Sequence, residues 1–273
     1  MALIEKLTNI ADAIREKTGG TEKLSLDGMA EAIAGISAGG GDEQSALDSL
    51  IDGSITEITS NVTRIRNYSF SYCENCTTAD FPLLTELGNY TFQYCTNLTS
   101  INAPIATNMG SYTFYECPSL TSVNLPLVKG IGNSAFQRCR KLTSVNFPKA
   151  TTVGNNAFYS CSYLTSVDFP LATSLGVQVF SNCYNLKAVV LRSDSICSLS
   201  NTNAFTNCYH FHGTVNATYN PDGLKDGYIY VPAALVESYK TATNWSEFAT
   251  QFRALEDYTV DGTTTGVLDE SKI

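Results

Sequence analysis

Nowhere in the 273 residues does the chain stay apolar for the roughly 18 positions that a membrane-crossing helix requires, so no membrane span is expected. Charged residues are scarce at 16 %, and the net charge of −9 leaves no basic patch able to track phosphates, which excludes nucleic acid as an expected partner. No HExxH, GxSxG, phosphate-binding loop or dinucleotide fingerprint occurs. Carboxylates in the middle of the chain are few and dispersed (Glu74, Asp80, Glu86, Glu116, Asp168), which argues against paired acid–base catalysis. The expectation is a non-enzymatic protein without a cofactor. The amino terminus, "MALIEKLTNIADAIREKTGG", has no uninterrupted apolar core of a secretory signal, and "VLDESKI" carries no sorting or lipidation motif, so export through a secretory leader is not expected.

What the chain does have is an internal repeat. "MGSYTFYECPSLTSVNLPLVKG", "IGNSAFQRCRKLTSVNFPKATT" and "VGNNAFYSCSYLTSVDFPLATS" follow one template. Phe70, Phe92, Phe114, Phe136, Phe158 and Phe180 are spaced by 22, and Phe205 follows after a longer gap. Cys73, Cys95, Cys117, Cys139, Cys161, Cys183 and Cys208 each come three residues later, and Leu98, Leu120, Leu142, Leu164 and Leu186 three after that. Prolines at 82, 104, 126, 148 and 170 and glycines at 88, 110, 132, 154 and 176 mark two further turns per repeat. A fixed period of this length is the signature of a solenoid.

One repeat reads as one coil. In "LTSVNFP", Leu142, Val145 and Phe147 alternate with polar residues, which describes a short strand with one buried face. Pro148 ends that strand, and "NNAF" leads to the anchor phenylalanine through what the pattern suggests is a single helical turn. A coil buries its apolar set only by stacking on its neighbours, each fully buried Phe, Leu or Val contributing about 1.5–3 kcal/mol. In-register stacking at about 4.8 Å makes six to seven coils a body roughly 30–35 Å long.

The cysteine column, between two apolar columns, reads as a ladder of reduced thiols filling a narrow slot, since parallel in-register side chains do not converge for disulfides. "CENC" at Cys73–Cys76 has the spacing of a redox pair, but Cys76 occupies the leucine column. "CYHFH" offers Cys208, His210 and His212, which could share a strand face and form a weak candidate metal site. Phe211 fills the leucine column there, which makes the two histidines flanking surface residues.

Charge divides the chain. Residues 1–63 carry 11 acids against 4 bases, residues 64–191 carry 5 against 8, and residues 192–273 carry 10 against 5. Ahead of the repeats, Leu3, Leu7, Ile10 and Ile14, then Leu26, Met29, Ile33 and Ile36, line single faces of two short helices too small to make a core alone. The expected organisation is a helical attachment or self-association segment at 1–38, a glycine-rich linker and amino-terminal cap at 39–54, the solenoid at 55–212, and a carboxy-terminal cap and tail at 213–273.

The pattern AFxxCxxLTSVxFPxAxxVG over residues 55 to about 210 resembles the BspA-type leucine-rich repeat family of bacterial surface and adhesion proteins. "GYIYVPAALVESYKTATNWSEFATQFRAL" is similar to that family's terminal segment, with Trp245 and Phe248 packing over the last coil. The resemblance implies a leucine-rich-repeat solenoid of parallel strands and short helical turns, closed by an α/β cap. Residues 1–36 resemble the amino-terminal segment of tail- and baseplate-associated proteins of phages and prophages from Firmicutes. This implies a receptor-binding protein made in the bacterial cytoplasm, released by lysis and displayed on a virion tail. Residues 1–36 would then hold other tail proteins or further copies of the chain, with a homo-oligomer as one outcome. The other reading is an adhesin that the bacterium itself displays. In either case the partner is a bacterial surface protein or polysaccharide. The candidate binding residues are the tyrosines Tyr68, Tyr72, Tyr90, Tyr94, Tyr112 and Tyr115 and the strand-face row Asn102, Asn124, Asn146 and Asp168, beside Asp80 and the serines at 100, 122, 144 and 166.

Overall fold

The computed structural model describes residues 56–214 and 216–255. The expected helices within 1–38 and the linker at 39–54 lie outside the described residues.

Each coil opens with a strand of three or four residues: β1 (Glu57–Thr59), β3 (Thr78–Asp80), β5 (Ser100–Asn102), β7 (Ser122–Asn124), β9 (Ser144–Asn146), β11 (Ser166–Phe169) and β13 (Ala188–Leu191). Past the proline corner comes a two-residue strand: β2 (Arg64–Ile65), β4 (Glu86–Leu87), β6 (Asn108–Met109), β8 (Gly130–Ile131), β10 (Thr152–Val153), β12 (Ser174–Leu175) and β14 (Ser198–Leu199). All pairs are parallel and in register by one repeat, as in Ser100↔Ser122 and Ile101↔Val123. The chain is a leucine-rich-repeat solenoid.

Both strand stacks are interrupted at the same level. The long strands form β1-β3-β5-β7 and a second sheet that begins at β9, and the short strands form β2-β4-β6 and β8-β10-β12-β14. The backbone around the anchor phenylalanines crosses that level without a break: Tyr112, Phe114 and Glu116 donate their N–H groups to the carbonyls of Asn133, Ala135 and Gln137 at 2.8, 2.8 and 2.9 Å.

The core is a set of columns. Anchor rings from Phe70 to Phe180 stack at centroid distances of 5.2, 5.6, 5.2, 5.3 and 5.9 Å, every ring buried. Threonines stitch the stack from outside, Thr99 Oγ1 donating to the Thr77 carbonyl and Thr121 Oγ1 to that of Thr99. At the glycine corner consecutive coils nearly touch. A Cβ on Gly132 would lie 2.4 Å from the Gly110 carbonyl oxygen, so close approach, not a left-handed backbone, requires glycine here.

The anchor segments from Phe70 to Phe180 are not helical turns, which corrects the sequence expectation there, whereas Thr202–Phe205 at the last anchor is a 3₁₀ turn. In those six coils the residues two before and two after the phenylalanine have positive φ, for example Tyr90 (57°) and Tyr94 (59°), Ser134 (53°) and Arg138 (63°), and Asn156 (55°) and Ser160 (58°). The reason is directional. A helix returns its N–H groups to its own carbonyls, whereas this solenoid needs them for the next coil. The alternation points Tyr68, Phe70 and Tyr72 N–H at the carbonyls of Asn89, Thr91 and Gln93, at 3.0, 2.9 and 2.8 Å.

The carboxy-terminal end is closed. β15 (Tyr228–Val231) extends the second long sheet, followed by a 3₁₀ turn at Ala233–Leu235, a helix at Val236–Thr241 and a 3₁₀ segment at Ser246–Gln251. β16 (Phe252–Ala254) then adds a last parallel strand that the sequence pattern did not foreshadow. Trp245 is buried and donates its indole N–H to the Cys197 carbonyl at 2.6 Å, and Phe248 meets Phe205 edge-on at 4.8 Å. The last coil is thus covered as a solenoid end requires.

Candidate binding surface

The cysteine ladder explains its own residue choice. Cys95, Cys117, Cys139, Cys161 and Cys183 are buried, and each thiol donates to the carbonyl of the preceding coil's anchor phenylalanine at 3.0–3.1 Å. A small apolar group with one weak donor fits that slot, and all nine cysteines are free thiols. Burial pushes Cys76 and Cys197 up to about 12, and raises the column thiols well above their ordinary value. These sulfurs are neither nucleophiles nor metal-ready thiolates. Cys73 is likewise pushed up to about 12, by burial and then by Cys76, which removes the thiolate that a redox CENC would use.

Cys208, His210 and His212 do not share a strand face. Tyr209–His212 is a single helical turn, with Gly213 closing it at φ 65°. His210 is buried, contrary to the surface position expected for it, with Nδ1 at 2.5 Å from Asp226 and Nε2 at 3.0 Å from the Tyr219 carbonyl. His212 sits outside, its Nε2 at 2.9 Å from the Phe205 carbonyl. The Cys208 thiol turns inward to the Phe180 carbonyl. Burial opposes the charge on Asp226, but hydrogen bonds from His210 and Lys187 hold its carboxyl below the usual range. The cluster is a clamp for the loop before β15, and its partner, Asp226, comes too late in the chain for the CYHFH pattern to reveal.

The two tyrosine rows come together as ladders on the anchor side. Tyr68, Tyr90 and Tyr112 stack at 4.7 Å, with 3° and 8° between ring planes, and Tyr72 stacks on Tyr94 at 4.7 Å. Glu116 takes the next place in the second row. Tyr115, one residue earlier, meets Tyr94 edge-on at 5.4 Å and lies 5.7 Å from Tyr112, so the rows join. Burial, then the neighbouring Tyr115 and Tyr72, pushes Tyr94 up to about 12. The Tyr94 phenol is a neutral donor throughout the ordinary pH range. The ladder ends at a charged rung, the Glu116–Arg138 ion pair.

The asparagine row lies on the long strands, and its groups are engaged along the stack. Asn102 donates to Asp80 at 2.7 Å, Asn124 to Asn102 at 2.6 Å, and Asp168 receives Arg192 through both carboxylate oxygens. Only Asn146 is exposed with its amide outside that chain of bonds. The hydrogen bonds of this row stay within the strand face and do not link it to the tyrosines.

A second aromatic group escaped the sequence reading. Tyr184 stacks on Tyr209 at 5.1 Å, and Tyr219 approaches Tyr184 at 4.9 Å and Tyr163 edge-on at 6.2 Å. The shared place of Tyr184 and Tyr209, four residues after successive anchors, was a usable signal. Tyr219 comes from the cap loop and left none.

The model of the BspA type leucine-rich repeat region matches residues 46–148 and 107–216, in six copies. Among solved structures, a leucine-rich repeat protein from Bacteroides ovatus is 28 % identical, with a TM-score of 0.50, the match covering 54 % of this chain and 39 % of that one. A leucine-rich repeat protein from T. pallidum is 24 % identical, with a TM-score of 0.48, covering 49 % of this chain and 68 % of that one. No curated protein matches the sequence.

Proposed function

Given that the chain belongs to the BspA-type leucine-rich repeat family, we propose that it is a non-catalytic recognition protein whose tyrosine ladders bind a protein or polysaccharide on a bacterial surface. The observation that carries this reading is the choice of side chain at the positive-φ places: tyrosine at 68, 72, 90, 94 and 112, where the later coils hold Ser134, Asn156 and Asn182, gathers stacked rings on one surface. Because the rings stack face to face, they present edges and hydroxyls to a partner more than open ring faces. Such a comb suits hydrogen-bonding groups repeated along an extended chain. Nucleic acid is not part of this reading, since no phosphate-tracking basic surface accompanies the ladder, and no catalytic step is assigned.

The setting we propose is a phage or prophage tail, with residues 1–36 as the attachment or oligomerisation segment and the solenoid exposed on the virion after lysis. The resemblance of those residues to tail-associated segments supports it, and the family itself supports the second reading, an adhesin on the producing cell. The test has two arms. Labelled full-length protein is incubated with a panel of bacteria, and Tyr90→Ala/Tyr94→Ala is expected to lose attachment while keeping its circular dichroism; a folded double variant that attaches unchanged refutes the ladder as the binding face. Antibody labelling then compares particles in induced lysates with the surface of intact producing cells, and label on intact cells replaces the tail setting with the adhesin.

A further inference from the structure

We propose a second binding site, distinct from the tyrosine ladders, for an acidic saccharide: a sugar chain bearing carboxylate or phosphate groups. It is formed by Tyr163, Tyr184 and Tyr219 with Arg140 and Lys141. Three observations converge on it. The first is shape. Tyr219 stands 76° from Tyr163 and 44° from Tyr184, so the three rings form an angled corner, not a flat stack. Tyr163 is 50 % exposed and meets Tyr219 edge-on, which leaves ring surface open to a ligand. A sugar ring offers C–H groups to such a surface and hydroxyls to the phenols around it.

The second is rigidity. Tyr219 sits on a loop clamped at both sides: its carbonyl faces His210 Nε2, its N–H donates to Asn216 Oδ1 at 3.1 Å, and the buried Asn220 amide donates to the carbonyls of Tyr209 and Leu224. A ring fixed before the ligand arrives loses little freedom on binding.

The third is charge. Residues 117–167 contain five bases and not one acid, in a chain of net charge −9. Arg138 is engaged by Glu116, but Arg140 and Lys141 are exposed and have no carboxylate partner among the described residues. Their backbone adjoins that of Tyr163 in the stack. Lys141 is Tyr163's counterpart one coil earlier, and the Tyr163 N–H donates to the Arg140 carbonyl at 3.3 Å. With coils about 4.8 Å apart, a carboxylate or phosphate on the sugar next to the stacked one reaches both cations. Uncompensated cations beside an open aromatic corner fit an anionic sugar better than a neutral glycan or an apolar peptide.

The test uses the full chain with three probes, hexagalacturonate, a phosphorylated oligomannose and neutral maltohexaose, titrated by calorimetry at low and at physiological salt. Binding of at least one acidic probe in preference to maltohexaose is expected, weakening as salt rises. Tyr163→Ala should weaken it by about fivefold or more, and Arg140→Gln/Lys141→Gln by about tenfold while flattening the salt dependence. Both variants change exposed side chains, so unaltered circular dichroism is expected alongside. No binding of either acidic probe, equal affinity for maltohexaose, or full affinity in a folded Tyr163→Ala each overturns the proposal. The galacturonate and oligomannose arms separate carboxylate from phosphate as the preferred anion.

Discussion

The first three coils and the three that follow share a backbone path and differ in what they hang on it. Two residues before each anchor phenylalanine, φ is positive in all six, yet the side chains run Tyr68, Tyr90, Tyr112 and then Ser134, Asn156, Gln178. Two residues after, they run Tyr72, Tyr94, Glu116 and then Arg138, Ser160, Asn182. A side chain in the left-handed region costs roughly 1–2 kcal/mol, least for Asn and Asp. Each stacked ring pair returns about 0.5–1.5 kcal/mol. Five tyrosines with three stacked pairs do not come out ahead of asparagines at the same places. The buried columns therefore fix the conformation in both halves, and stability does not explain why one half uses tyrosine. The strand stacks are interrupted close to the side-chain change, between β6 and β8 and between β7 and β9, while the anchor segments that carry the two faces stay hydrogen-bonded across it.

The columns common to both halves are where the largest effects should fall, and they test whether the halves are one structure. Above pH 9, the ordinary value for a thiol, an unfolded cysteine ionises while a buried one raised to about 12 or beyond stays protonated. The folded state then holds more protons, so stability is intact below pH 9 and falls as pH rises, by about 1.4 kcal/mol per unit for each thiol. With nine thiols, of which Cys73, Cys76, Cys95 and Cys117 lie in the first half, one to two pH units are enough to offset the roughly 5–15 kcal/mol that holds a typical domain together. A single cooperative loss of circular dichroism between about pH 9 and 11 is expected; two separated transitions would break the comparison by making the halves independent.

Next in size come the ring columns. Phe92→Ala and Phe136→Ala each leave a cavity in a fully buried stack and should cost about 3–5 kcal/mol in urea unfolding. A much smaller loss for Phe92 would mean that the tyrosine half is held from outside. Gly132→Ala probes the level where the strands part. Its Cβ would press on the Gly110 carbonyl, and a cost of about 1–3 kcal/mol is expected; a neutral result would mean that the coils are free to separate there.

How much of this could be read in advance follows from where each determinant lies. The phenylalanine, leucine and cysteine columns were legible because every coil meets the same interior, so the sequence repeats there. The alternating φ was not, since tyrosine, serine, arginine and glutamine hold most of the left-handed places and asparagine only a few, such as Asn156 and Asn182. The burial of His210 and the corner at Tyr219 depend on Asp226 and on a cap loop outside the period. Of the candidate binding residues, the tyrosines form continuous ladders, whereas Asn102 and Asn124 are occupied with each other.

The smallest effect on stability sharpens the comparison most, because it exchanges the two faces at one backbone position. Tyr90→Asn removes ring contacts with Tyr68 and Tyr112 but puts a tolerant residue at φ 57°, so the two terms nearly cancel and the free energy of urea unfolding should change by no more than about 1 kcal/mol. Asn156→Tyr places a strained ring where the neighbours two before the anchors are Ser134 and Gln178, gains no stacking, and should destabilise by about 1 kcal/mol. The attachment assay moves the other way, with the nearly neutral Tyr90→Asn losing binding and the less stable Asn156→Tyr keeping it. If Tyr90→Asn instead costs as much as a core phenylalanine, the ladder is part of the scaffold, and recognition has to be sought at Tyr163 and its corner.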